Sequence, residues 1–171
     1  MKRRSISLFT YFIFLYSFMH AQSVGERTVP LGGNSWVKTQ LKGIETVSEK
    51  GWEHWQSKNA VWSTYLKLSS PGKLVVKARI KVPAGKSRIA WILNGKTFTQ
   101  TITDTIWQIV PVADWTISKP GYVKIEARGL SRTGSVFAEV SDLIVSGTAT
   151  DSTTSFVANN EGNYFYWGRR G

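Results

Sequence analysis

The run KLVVKARIKV, residues 73–82, decides the fold class. In an extended chain Leu74, Val76, Ala78, Ile80 and Val82 fall on one side, and Val75, Lys77, Arg79 and Lys81 on the other. Successive side chains of a strand point to opposite faces, so this period of two marks a half-buried β-strand with one wet, cationic face. GYVKIEARGL, residues 121–130, repeats the pattern, with Val123, Ile125 and Ala127 opposing Tyr122, Lys124, Glu126 and Arg128. Between the two lies RIAWILNGKTFTQTI, residues 88–102, in which Asn94-Gly95 separates two β-rich runs. That dipeptide supplies the two positive-φ positions of a type I′ hairpin turn.

Working outward, further strands are predicted at Val24–Val29, Trp36–Leu41, Ile44–Ser48, Val61–Leu68, Thr105–Val112 and Ser135–Val145. Pro71-Gly72, Pro83-Ala84-Gly85, Pro120-Gly121 and Arg132-Thr133-Gly134 punctuate them. About nine short strands with turn signals every roughly 8–12 residues, and no sustained helical spacing, imply an all-β, antiparallel two-sheet β-sandwich. Jelly-roll topology is preferred over an immunoglobulin-like arrangement.

The chain has 171 residues, 42% of them hydrophobic, which suits one buried core with appendages. Lys2, Arg3 and Arg4 precede an uncharged apolar run from Ile6 to Met19, the pattern of a secretory signal peptide over residues 1–21. That run is too short to span a bilayer, so no membrane span is expected after cleavage. The sandwich is expected over residues 22–147. The Ser-, Thr- and Asn-rich residues 148–163 read as a polar linker. Four aromatics within NYFYWGRRG are poorly suited to a free terminus, so residues 164–171 read as the start of a truncated second domain.

Composition also limits the chemistry. There are no cysteines, hence no disulfide, thiol nucleophile or thiolate metal site. Without the leader the only histidine is His54, which excludes a two-histidine metal site. A Ser/His/Asp arrangement lacks a nucleophile-elbow pattern, and no phosphate-cradling glycine loop is present. Glycoside hydrolysis needs two facing carboxylates, and the acids are few and scattered, Glu53 meeting Asp104, Asp114 or Asp142 being the pairings open to it. No catalytic residue, metal ligand or cofactor is therefore assigned; a structural calcium at Asp142 beside Glu26 or Glu139 has no loop motif behind it.

Removing Lys2, Arg3 and Arg4 leaves 19 basic against 11 acidic residues. A basic surface attracts nucleic acid, anionic lipid and acidic polysaccharide by the same counterion release, and export favours the last. Lys77, Arg79, Lys81, Lys124 and Arg128 read first as solvated strand faces; on one sheet they would form a surface for an anionic polysaccharide or a partner.

The eight tryptophans are the better lead. Trp91 and Trp107 sit in apolar strand contexts and are assigned to the core, as is Trp62. Trp52 and Trp55 lie in EKGWEHWQSKNA, which reads as a polar loop carrying two indoles. Flat apolar rings cover the C–H face of a pyranose while neighbouring polar groups pair its hydroxyls. Trp52, Glu53, Trp55 and Asn59 are thus the candidate carbohydrate site. The same indoles also fit a role capping the open end of the sandwich without touching ligand.

The stretches VPLGGNSWV, GWEHWQSKNAVWSTYLKLSSPGKLVVKARIKVPAGKSRIAWILNGK, GYVKIEARGLSRTG, FAEVSDLIVSG and FYWGRRG together resemble the N-terminal domain of unknown function 5077, found in exported bacterial proteins. The resemblance runs from about Val29 to Gly171. It implies a galactose-binding-like sandwich comparable to carbohydrate-binding modules, followed near Tyr164 by domain of unknown function 3472. It brings no catalytic residues.

The expected function is an exported, non-catalytic module, secreted or periplasmic or at the cell surface. Its expected partners are a polysaccharide or other glycan and the downstream domain of the same polypeptide, with no nucleic acid. A structural domain that packs on the downstream domain is the alternative, and a glycan-active enzyme the least favoured.

Overall fold

The computed structural model describes residues 25–38 and 44–156. Eleven strands make up the fold: β1 (Arg27–Pro30), β2 (Ser35–Lys38), β3 (Thr46–Ser48), β4 (Gly51–Glu53), β5 (Val61–Leu68), β6 (Gly72–Lys81), β7 (Ser87–Leu93), β8 (Lys96–Ile102), β9 (Gln108–Ile117), β10 (Gly121–Arg132) and β11 (Glu139–Ser146). The leader and the proposed second-domain start at 164–171 lie outside the described residues.

All pairings are antiparallel and form two sheets. One has the order β3-β4-β11-β6-β9, with β1 also on β11, and the other β2-β5-β10-β7-β8. From β4 to β11 the chain alternates between sheets except at the β7–β8 hairpin, giving β4, β11, β6, β9 against β5, β10, β7, β8, the double Greek key of a jelly roll. The alternation read from the sequence holds in detail: Leu74, Val76, Ala78 and Ile80 of β6, and Val123, Ile125 and Ala127 of β10, are all buried between the sheets. Asn94 and Gly95 have φ of 46° and 79°, the turn expected between β7 and β8.

Three expectations are corrected. First, β6 and β10 lie in different sheets, so Lys77, Arg79 and Lys81 face away from Lys124 and Arg128 and form no common surface. Second, Trp107 is not core. It precedes β9 with 41% of its surface exposed, and Lys81 Nζ sits 4.9 Å from its ring centroid. Third, the polar stretch after Gly147 does not leave the domain before Phe156. Ala149, Thr150 and Thr154 are buried, and Ser155 bridges to Lys67 through paired backbone hydrogen bonds of 2.8 and 3.0 Å. Its threonines and Asp151 hydrogen-bond one another and the neighbouring backbone, so a segment poor in apolar residues still packs.

Candidate functional site

The proposed indole pair is inside the protein. Trp52 and Trp55 are both 0% exposed. Trp52 belongs to β4, a strand the sequence reading missed, and its Nε1–H donates to Ser35 Oγ at 2.7 Å. Its ring stacks on Trp62 at 5.1 Å and on Trp91 at 6.0 Å, and Trp55 meets Trp52 and Trp62 edge-on at 6.1 and 5.7 Å. Phe137 closes the cluster at 5.5 Å from Trp55 and lies on Gly129, where an added Cβ would come within 2.5 Å of its ring.

Local backbone geometry explains the misreading. Residues three apart in an uninterrupted strand point to opposite faces, so Trp52 and Trp55 could not both turn inward. His54, at φ 59°, breaks the strand in the left-handed region and reverses the parity. Of the four candidate residues, Trp52 and Trp55 are core and Glu53 is half-buried on β4. Asn59 alone reaches the open groove described next.

That groove, about 510 Å³, lies on the outer face of the β2-β5-β10-β7-β8 sheet. In SWVK of β2, Ser35 turns inward and Trp36 outward. In VWSTYLKL of β5, Trp62, Thr64, Leu66 and Leu68 turn inward, leaving Val61, Tyr65 and a Ser63 that its neighbours cover on the outer side. The register sets Trp36 opposite Ser63, and Ser63 opposite Glu126; one row away Lys38 and Arg128 flank Val61. The rings of Trp36 and Tyr65 stack at 4.9 Å with planes 14° apart, and Trp36 keeps 43% of its surface open.

The rim is built by the loop after β4. Glu45 is buried, and its Oε1 accepts the backbone N–H groups of Gln56 and Ser57 at 3.3 and 2.6 Å. Ser57 Oγ in turn accepts the Asn59 N–H at 3.0 Å. This clamp presents Lys58 and Asn59 to the groove. On its floor Lys124 Nζ and Glu126 Oε1 are 2.9 Å apart, and that hydrogen bond, followed by the carboxylate's charge, raises the Lys124 pKa above the usual lysine range.

Sequence reasoning missed Trp36 and Tyr65 as a site. Their outward parity in two strands that the register makes neighbours was the available signal. Apart from Glu53, the acids considered for hydrolysis or calcium are otherwise engaged: Asp114 with Lys73, Asp142 with Arg79, Glu26 with Lys77 and Glu139 with Lys81 at 2.8 to 3.3 Å, and Asp104 with Gln108. Among the described residues no three His, Asp or Glu side chains come together as a metal site would require.

Solved structures share this architecture at low sequence identity. A CBM35 from Cellvibrio japonicus Abf62 matches with TM-score 0.56 at 15% identity, over 77% of this chain and 97% of that one. A family 35 carbohydrate binding module from Clostridium thermocellum gives 0.51 at 14%, over 71% and 97%. The CBM36-1 domain of a multidomain xylanase from the hindgut metagenome of Trinervitermes trinervoides gives 0.51 at 13%, over 72% and 98%. No curated protein matches the sequence. Residues 29–150 match the family described as Domain of unknown function (DUF5077), so the match spans the sandwich from β1 to the packed segment after β11, and the chain belongs to that family.

Proposed function

We propose that this is an exported, non-catalytic module that holds a glycan in the groove of the five-stranded sheet for a further domain of the same polypeptide. The stacked Trp36–Tyr65 pair carries the reading. Two partly open rings beside Asn59 and Glu126 offer an apolar surface for sugar C–H groups and polar partners for hydroxyls. The fold shared with carbohydrate-binding modules supports it by analogy. The charged apolar leader supports export. The pairing of Asp114, Asp142 and Glu139 with cations supports a non-catalytic role.

A second reading, a structural domain that packs on its neighbour, is favoured by the exposed Ile106, Trp107 and Ile109 around the start of β9. Affinity-gel retardation of the full mature chain on a polysaccharide panel separates the two. Glycan binding predicts retardation by at least one polymer, weakened about two- to tenfold by Trp36→Ala because a stacking contact is worth about 0.5–1.5 kcal/mol. The melting temperature should barely move. A chain retarded by no polymer leaves the packing role.

A further inference from the structure

We infer that the groove selects anionic polysaccharides, chains bearing carboxylate or sulfate groups, an inference that rests on the glycan-binding reading above. The two outer faces of the sandwich treat their cations differently. On the six-stranded sheet the outward cations of β6, namely Lys73, Lys77, Arg79 and Lys81, each have a carboxylate on a neighbouring segment. Glu139 and Asp142 stand directly opposite Lys81 and Arg79 in the register, so that surface is self-neutralised.

In the groove the matching fails. Lys38, Lys58 and Arg128 line it, and none has a carboxylate partner among the described residues, while the one acid there, Glu126, is held by Lys124. The shortage belongs to the sequence itself. The sequence TQLKG, residues 39–43, contains no acid, and Glu161 is the only acidic residue of the chain outside the described residues. Lys38 and Arg128 flank Val61 from the two neighbouring strands, about 10 Å apart across two strand spacings. Positive charges crowded without counter-charge raise the local concentration of anions and favour an anionic occupant.

The groove's other groups choose among anions. Trp36 and Tyr65 already cover one face of each other, which leaves no slot in which a nucleic-acid base stacks between them. Glu126 accepts hydroxyls, which a polysaccharide offers on every residue and a DNA backbone does not. The groove's groups therefore suit a polymer that carries both anions and many hydroxyls.

The test measures affinity of the full mature chain for pairs that share a backbone and differ in charge: polygalacturonate against its methyl ester, and dextran sulfate against dextran. One acidic polymer should bind at least about tenfold more tightly than its neutral form, with the advantage shrinking as salt rises. Whichever it is tells carboxylate from sulfate. The double variant Lys38→Gln, Arg128→Gln should lose about tenfold on that polymer and with it the advantage over the neutral form, two exposed charges having that combined weight. Equal binding of charged and neutral forms, both weakened by Trp36→Ala, overturns the charge selection and leaves glycan binding standing. Binding of an oligothymidylate as tight as that of the acidic polymer overturns it in favour of nucleic acid. Retardation by no polysaccharide removes the glycan reading itself and this inference with it.

Discussion

Trp52 is held from three directions: its N–H by Ser35, one face by Trp62 and its flank by Trp91. Truncating a buried aromatic removes its transfer energy and leaves a cavity, so Trp52→Ala should cost about 3–5 kcal/mol in urea unfolding. This substitution would reduce binding only by unfolding the chain, whereas Trp36→Ala would spare stability. The contrast shows what the sequence made legible at this scale. Residue types announced that indoles mattered, and strand periodicity placed Trp62 and Trp91 inside. The direction of Trp52 and Trp55 depended on one left-handed residue, His54, and neither composition nor periodicity marks that residue as the break. Asn94-Gly95 was legible because there the same backbone requirement selects the residue types.

Strands with clean alternation were legible almost to the residue, β5 at Val61–Leu68 and β6 within one position of its ends. β4 was not, because three residues carry no periodicity, and of its two partners β3 is equally short and β11 is distant in sequence. The segment after β11 was missed for another reason, its packing being hydrogen-bonded rather than apolar. Asp151 anchors it: Oδ1 accepts the N–H groups of Thr153 and Thr154, and Arg27 donates to its backbone carbonyl. The Thr153 hydroxyl first, then these amides, hold its carboxyl below the usual aspartate value. A lowered folded pKa gives stability that is present above the unfolded value and lost as pH falls through the folded one. Asp114, lowered by Lys73, acts with the same sign, and the raised Lys124 acts oppositely at alkaline pH. Amide exchange at Lys67 and Ser155, taken relative to the intrinsic rate of an unfolded peptide at the same pH, should therefore accelerate below about pH 4. Asp151→Asn should accelerate it already at neutral pH, and unchanged exchange in that variant would deny the anchor its role.

The whole molecule was legible as a class and illegible as a surface. Alternation and turn spacing sufficed for an all-β sandwich, because two half-wet sheets have few other ways to bury their apolar faces. The groove arises only when β2, β5 and β10 become neighbours, joining Trp36, Tyr65 and Arg128 from positions far apart in the chain. The same folding sorts the indoles into two optical populations. Trp52, Trp55, Trp62, Trp91 and Trp115 are sealed in the interior, whereas Trp36 and Trp107 meet solvent on opposite sheets; Trp167 lies outside the described residues. Emission should thus divide into a blue component that iodide does not quench and a redder, quenchable one. A molecule settling in the groove would shield Trp36, so the double variant Trp107→Phe, Trp167→Phe turns the remaining quenchable light into a reporter of occupancy without any attached dye.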